Sequence, residues 1–269
     1  MRLVSFDAGA GPRAGLLEDG LVVEVGDSVL QLIEAGLDSA PAARGEPRPL
    51  AEVALLPPIG NPQKIIGIGL NYRSHAEEAG REAPEVPTFF GKFANALAAP
   101  GAQVALPEAS AKVDFEAEVA FVVGRRAKAV SERAALDHVA GYMLFNDLSA
   151  RDLQFQTPQW MPGKVFDGSA PCGPALVTAE EGIDPAAIDL ALTLNGEQMQ
   201  GASTADLIHS IPALVAHLSR LMTLEPGDIV STGTPAGVGS VRKPRVWLAA
   251  GDEIVVSSPQ LGELVTRIA

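Results

Sequence analysis

The chain has 269 residues, 47% of them hydrophobic, and its 33 acidic against 20 basic residues give a net charge of −13 and a pI near 4.7. So acidic a chain offers no basic stripe for a nucleic acid or an anionic membrane, and no apolar run approaches the roughly 18 residues that span a bilayer. One cysteine, Cys172, excludes an intramolecular disulfide; between Pro171 and Gly173 it reads as a small turn or core residue rather than a nucleophile. These bounds point to a cytoplasmic protein with a small-molecule partner, and an anionic substrate would draw its positive charge from a metal or from a few placed Lys and Arg residues.

In chain order, RLVSF and GLVVEV read as strands and SVLQLIEAGL as a brief amphipathic helix, followed by a tract rich in Pro, Ala and Arg over residues 39–49. Residues 1–56 are expected to form a small N-terminal α+β domain, closed by Pro57-Pro58, with residues 57–269 as the larger domain. There KIIGIG is an apolar strand running into LNYRSHAEEAG, which turns helical and ends on Gly80. His75 and Glu78 lie three apart, so on a helix the carboxylate can hold the imidazole in one tautomer and raise its basicity; alone, the pair is as readily a surface turn. The Pro-punctuated REAPEVP suits a lid over residues 76–87. TFFGKFANALAAPG then sets Lys92 just after an aromatic pair.

KVDFEAEVAFVVG, Lys112 to Gly124, carries the strongest signal. Read as one strand, it puts Val113, Phe115, Ala117, Val119, Phe121 and Val123 on one face, and Lys112, Asp114, Glu116 and Glu118 on the other. Glu116 and Glu118 would repel in a low dielectric unless protonated or neutralised, and a hard divalent cation neutralises them well; the alternative is the solvated face of an antiparallel strand. SERAALDHV reads as a helix capped by Ser131, and GYMLFND as a strand ending in Asp147. Three such acids have the oxygen character that Mg²⁺ or Mn²⁺ prefers.

Lys164, in the loop QWMPGKVFDG, lies in a poorly solvated setting where it can bind a carboxylate or stabilise an oxyanion, or simply extend its stem to the surface. Asn195-Gly196 signals a hairpin. TADLIHSIPALVAHLSRLMTL supplies one amphipathic helix, in which His209 and His217 are expected to be packing or surface residues. The glycine-rich loop in LEPGDIVSTGTPAGVGS lets amides approach an anion, with Thr234 adding a hydroxyl, yet lacks the pattern of a nucleotide site.

The ordered set GIGLNYRSHAEE, DFEAEVAFVVG, GYMLFNDLSARDLQ, QWMPGKVFDG, LNGE and LMTLEPGDIVSTGTPAGVG resembles the fumarylacetoacetate hydrolase superfamily, from about Lys64 to the C-terminus. The resemblance implies a mixed β-sandwich roll with few helices and a homodimer; periodicity alone gives only a β-rich α+β class. It implies Glu116, Glu118 and Asp147 as metal ligands, His75 as base with Glu78 orienting it from the lid, Lys164 polarising substrate oxygens, Gln154 lining the pocket and Thr234 donating to a substrate carboxylate. Where the founding hydrolase has a further aspartate ligand this chain has Ile68, so a Mg²⁺ or Mn²⁺ site is expected rather than a Ca²⁺ site.

The chemistry expected first is hydrolysis of a carbon–carbon bond in a 2,4-dioxo acid, through an enolate of pyruvate, with water activated by His75 and Glu78. Decarboxylation of oxaloacetate, or tautomerisation of oxaloacetate or a 2-hydroxy-dienoate, would use the same residues. A non-catalytic dicarboxylate-binding protein is the third reading.

Overall fold

The structure is a computed structural model and describes residues 1–9, 11–37 and 39–269. Twelve strands make its largest sheet. At its centre Ala117–Val123 runs antiparallel to Val139–Asn146, which pairs in turn with Ala170–Thr178. On the other side Ala117–Val123 meets Ile229–Ser231, then Ile65–Gly69 in parallel, then Thr88–Lys92. The N-terminal strands extend this same sheet, because Arg2–Asp7 pairs with Ala170–Thr178 and continues into Pro12–Glu18 and Leu21–Gly26.

A second sheet of five strands contains Glu197–Ser203, Asp189–Leu194, Glu253–Ser258, Gly262–Ile268 and Gln103–Val104. Val119, Phe121 and Leu144 of the large sheet share one apolar cluster with Leu192, Ile254, Val256 and Leu264 of the five-stranded sheet, the layering of a β-sandwich. The opposite face is covered too: Ala120, Val122, Met143 and Phe145 pack with Leu3, Val29 and Ile33 of the N-terminal segment. Burial on both faces explains why AFVV and YMLF read as continuous apolar runs instead of alternating. The molecule is thus strand-rich α+β with mixed sheets, and among the described residues no helix is long and apolar enough to cross a membrane.

Local signals account for several elements. Ser28 caps the helix Val29–Ala35, its hydroxyl accepting from the Gln31 amide at 3.1 Å. Asn195 and Gly196 both adopt positive φ, 52° and 82°, and join Asp189–Leu194 to Glu197–Ser203 as a tight hairpin. Cys172 is fully buried within Ala170–Thr178, and burial pushes its thiol up to about 12, which fits a packing role.

Two expected helices differ. The segment after Ser131 is a 3₁₀ helix, Glu132–His138, in which only Ala135 is buried and the Ser131 side chain caps nothing; one small contact favours a short, tight turn over an α-helix. The helix expected to carry both histidines divides into a 3₁₀ turn, Thr204–Asp206, and the α-helix Ile211–Leu221. Ser210 caps the latter and Pro212 lies in its first turn, so His209 falls ahead of it. His209 instead donates its amide to Asn71 Oδ1 (2.8 Å) and sets its ring Nε2 against Pro84 O (2.9 Å), while His217 does ride in the helix.

Gly141 marks the closest approach within the large sheet, since a Cβ there would lie 2.2 Å from Val177 O and 2.8 Å from Thr178 Cα. Gly141→Ala should therefore destabilise the protein by about 1–3 kcal/mol in urea unfolding, and a neutral result would show that these strands slide apart without penalty.

Candidate active site

The strand expected over residues 112–124 is interrupted. Val113–Asp114 pairs with Ser149–Ala150 and Ala117–Val123 with Val139–Asn146, and Phe115 and Glu116 lie between them. Side chains take over the backbone donors at the break: the Phe115 amide goes to Asp114 Oδ1 (2.9 Å), that of Glu116 to Asn146 Oδ1 (3.2 Å) and that of Ala117 to Gln200 Oε1 (2.9 Å). Simple alternation therefore fails, and Asp114 parts from Glu116 and Glu118. Asp147, just past the end of Val139–Asn146, is drawn in by its amide on Glu116 O (2.9 Å). Oxygens of Glu116, Glu118 and Asp147 then lie within 4.8 Å of one another, all three residues buried, so the solvated-face reading does not hold.

Three cations share this seam. Arg151 reaches Asp114 Oδ2 through Nε (2.9 Å) and Nη2 (2.9 Å), Glu116 Oε1 through Nη2 (2.6 Å) and Gln154 Oε1 through Nη1 (3.0 Å). Lys164 Nζ bridges Glu116 Oε2 and Asp147 Oδ2, each at 2.7 Å. Lys92 Nζ donates to Asp147 Oδ1 (2.7 Å), to Lys164 O and to Ser169 O and Oγ (both 3.1 Å), and so fixes both Asp147 and the turn carrying Lys164. Burial pushes the Lys92 ammonium down, whereas for Lys164 burial is outweighed by Asp147 and Glu116 and the group moves up. Burial likewise raises Glu116, but Arg151 and Lys164 outweigh it and hold this carboxyl at about 2.

Glu118 is the exception. Its Oε2 accepts only neutral donors, the Ser231 hydroxyl and the Gly233 amide (3.0 Å). Burial, then Asp147 and Glu116, raise it well above the ordinary carboxylate range. Four buried carboxylates (Asp114, Glu116, Glu118, Asp147) thus face three buried cations (Lys92, Arg151, Lys164), and the missing positive charge is at Glu118. Three convergent carboxylates with one charge unmet form a donor set that fits a divalent cation.

The seam opens into a cavity of about 430 Å³ lined by His75, Gln154, Lys164, Thr234 and the rings of Phe90, Trp160 and Trp247. Gly67 and Gly69 make room for two of these rings, since a Cβ there would lie 2.4 Å from Phe90 and 2.1 Å from Trp160. His75 and Glu78 sit on the helix Arg73–Glu78, with Nδ1 and Oε2 3.4 Å apart, and both Glu78 oxygens accept the Gly237 amide (3.0 and 3.1 Å). The helix thereby docks on the glycine-rich loop, while residues 79–87 continue in irregular structure. Gln154 lies at the cavity wall, tied to Arg151. Thr234 differs from expectation: its hydroxyl donates to Ala117 O (2.9 Å) and accepts from Gln200 Nε2 (2.9 Å), so in this arrangement its one proton is not available to a ligand.

Sequence reading placed the three acids and Lys164 but assigned nothing to Arg151, Lys92 or Asp114. Lys92 offered only a weak signal, a lysine among aromatic residues, because two of them, Phe89 and Phe93, are themselves exposed. Arg151 had none, because only the fold shows that it faces Asp114 and Glu116 together.

The description "Fumarylacetoacetate (FAA) hydrolase C-terminal" matches residues 64–269, and "Rv2993c-like, N-terminal" matches residues 1–58. The oxaloacetate tautomerase fahd2, mitochondrial, of Xenopus laevis is 39% identical over 287 aligned residues, covering 98% of this chain and 89% of that protein. Among solved structures, the fumarylacetoacetate hydrolase of Exiguobacterium antarcticum superposes with a TM-score of 0.89 at 34% identity, covering 100% of this chain and 99% of the other. The 2-hydroxyhepta-2,4-diene-1,7-dioate isomerase of Mycobacterium marinum gives 0.84 at 33%, covering 100% and 98%.

Two outcomes follow from the charge distribution. Because the folded protein raises Glu118, its contribution to stability is present below the ordinary carboxylate value of 4.5 and is lost as pH climbs above it. Added Mn²⁺ or Mg²⁺ should thus raise Tm more at about pH 8 than at about pH 5, and Glu118→Gln should abolish the shift; a shift independent of pH and of Glu118 would refute the assignment. Lys92→Met, which leaves Asp147 with Lys164 as its one cation and takes a donor from Lys164 O and Ser169 O, should cost about 1–3 kcal/mol in urea unfolding of the metal-free protein.

Proposed function

The chain belongs to the fumarylacetoacetate hydrolase family, a family of enzymes, and on that premise we propose that it enolises a 2-oxo acid, with keto–enol tautomerisation as its reaction. The observation that carries this reading is the unmet charge at Glu118 beside Lys164, in the same cavity as His75. Glu116, Glu118 and Asp147 hold Mg²⁺ or Mn²⁺, and that cation, when bound, supplies positive charge against a developing enolate. A divalent cation exceeds the deficit of one by a single charge, and the carboxylate of a 2-oxo acid closes the balance.

The chain's own residues do the rest. Lys164 spends two of its three N–H groups on Glu116 and Asp147, leaving one for a substrate oxygen. Arg151 keeps Glu116 ionised, and Gln154 borders the substrate from the same wall. His75 takes a proton from the carbon next to the 2-oxo group and returns it to oxygen, with Glu78 holding its Nδ1 side. Thr234 enters the substrate site if its hydroxyl rotates away from Ala117 O. A mere binding protein would have no use for the His75–Glu78 pair.

Tautomerisation is placed first because it needs only His75 and the seam, and because the similar Xenopus protein is named for it over nearly the whole chain. The likeness to the Exiguobacterium hydrolase favours the second reading, in which His75 and Glu78 activate water to cleave a 2,4-dioxo acid into pyruvate and a carboxylic acid. The family resemblance adds the expectation of a homodimer, and the composition that of a cytoplasmic protein.

Metal-loaded protein would be given oxaloacetate, with the enol band followed by ultraviolet absorbance, and acetylpyruvate, with pyruvate release followed. Faster decay of the enol band, slowed about 10²–10⁴-fold in His75→Ala, is the expected result. Pyruvate release that outpaces it would move the protein to the hydrolases, and inactivity on both would reject the proposal.

A further inference from the structure

The strap of residues 79–87 follows the helix Arg73–Glu78 and supplies Ala79 and Arg81 to the cavity wall, with little to hold it there. Residues 79–83, 85 and 86 are exposed, Val86 at 58%. The Gly80 and Arg81 amides still close on Glu77 O (3.0 Å) and Ala76 O (2.9 Å). Beyond them, from Glu82 to Pro87, one hydrogen bond remains among the described residues: the ring of His209, 125 residues away, sets Nε2 2.9 Å from Pro84 O. A carbonyl only accepts, so this ring nitrogen carries the proton.

His209 stands on a fixed base. Its amide donates to Asn71 Oδ1 (2.8 Å), its carbonyl accepts from Asn71 Nδ2 (3.1 Å), and the same Nδ2 reaches Thr232 O (2.8 Å), with Asn71 fully buried. The residues just before His209 grip the start of the segment that ends in the strap. Ile208 donates its amide to Asn71 O (2.7 Å), Leu207 O accepts from Arg73 Nη1 (2.8 Å) and Asp206 Oδ2 accepts from the Ser74 amide (3.0 Å). Upstream, Thr204 is tied to Ile188 by its amide on Ile188 O and by its hydroxyl under the Ile188 amide, both at 2.9 Å. Four consecutive residues, 206–209, thus hold both ends of residues 71–84, the start by several bonds and the far end by one.

We propose that His209 is a positioning residue for the active site, whose Nε2–H clasps the Pro84 carbonyl and so holds the strap 79–87 against the cavity to retain the bound 2-oxo acid. This rests on the enolisation assigned above. His75 and Glu78 do not depend on the clasp, because Asp206 and Leu207 fix the start of their helix and the Gly237 amide meets Glu78. A strap held by a single hydrogen bond is finely balanced between closed and open. Losing that bond makes the closed form a minority, and the apparent affinity falls with the closed fraction while the base keeps its place.

Trypsin cleavage after Arg81, read by the mass of the fragments, measures how often the strap opens and needs no turnover. His209→Phe keeps a ring without the donor, His209→Ala removes both, and His209→Gln sets an amide nitrogen where Nε2 stands. The Phe and Ala variants should be cut about 3–5-fold faster than the wild type, and the Gln variant at the wild-type rate. Exchange of the C3 protons of 2-oxobutyrate for deuterium by the metal-loaded protein, followed by NMR, should show KM raised about 3–5-fold in His209→Phe and His209→Ala, kcat kept within about twofold, and both restored in His209→Gln. Unchanged cleavage, or faster cleavage that His209→Gln does not restore, would overturn the clasp. Faster cleavage with an unchanged KM, or a loss confined to kcat, would overturn its role at the site. If the wild type does not exchange these protons, it is the enolisation that fails, and trypsin cleavage with calorimetric binding of 2-oxobutyrate still decides the clasp.

Discussion

A carboxylate taken out of water is tolerated only when another charge or several donors meet it, and this molecule buries four carboxylates along one seam. Arg151, Lys164 and Lys92 meet three of them, through bonds of 2.6–3.1 Å that also tie together segments distant in sequence. Lys92 ends one edge strand, Arg151 follows the short strand Ser149–Ala150 and Lys164 follows the 3₁₀ turn Met161–Gly163. Remove Arg151 and Asp114 is left with backbone amides alone; remove either lysine and Asp147 keeps a single cation, so the same contacts hold the fold and define the site. Glu118 is left over, and its unmet charge is what a cation would relieve.

The rest of the architecture serves this seam. Burial of Ala117–Val123 on both faces gives the carboxylates a rigid base, and the break at Phe115–Glu116 frees Glu116 to turn toward Asp147. Asp114, released from the expected face, accepts the amides of Gly239 (2.7 Å) and Ser240 (3.0 Å) and carries the loop that follows the glycine-rich segment to the site. Gly239 has no room for a side chain there, since a Cβ would lie 2.8 Å from Asp114 Oδ1 and 2.2 Å from Val246 O. That loop leads to Arg245 and Trp247, so one buried aspartate links the inner seam to the outer wall of the cavity.

Much of this was legible in the sequence because residue type limits what a buried strand can tolerate. Glu-x-Glu at the start of an apolar run, an aspartate ending another and a lysine in a Gly/Pro loop could each be found without a structure, and the order of the motifs gave their resemblance to a family. The helix caps were less dependable. Ser131, the one cap read from the sequence, caps nothing, because a cap needs a helix behind it and the segment after Ser131 buries too little to form an α-helix. Thr234 was read as a free hydroxyl donor, but Ala117 O and Gln200 claim it, and no local pattern announces partners more than 30 residues away.

By itself the sequence determined the strand-rich class and the i, i+3 spacing of His75 and Glu78, and the order of its motifs pointed to the triad of Glu116, Glu118 and Asp147, while the burial of Lys164 was left open, because residue type and local period reach only that far. The tertiary structure alone decided which cation meets which carboxylate, that Asp114 parts from the face it was expected to share with Glu116 and Glu118, that Glu118 lacks a positive partner, and that Arg81, Lys112 and Arg245 line one cavity. The reason is range: hydrophobic period and capping act over a few residues, whereas the partners of a buried carboxylate seam come from segments up to 126 residues apart that only the packed sheets bring together.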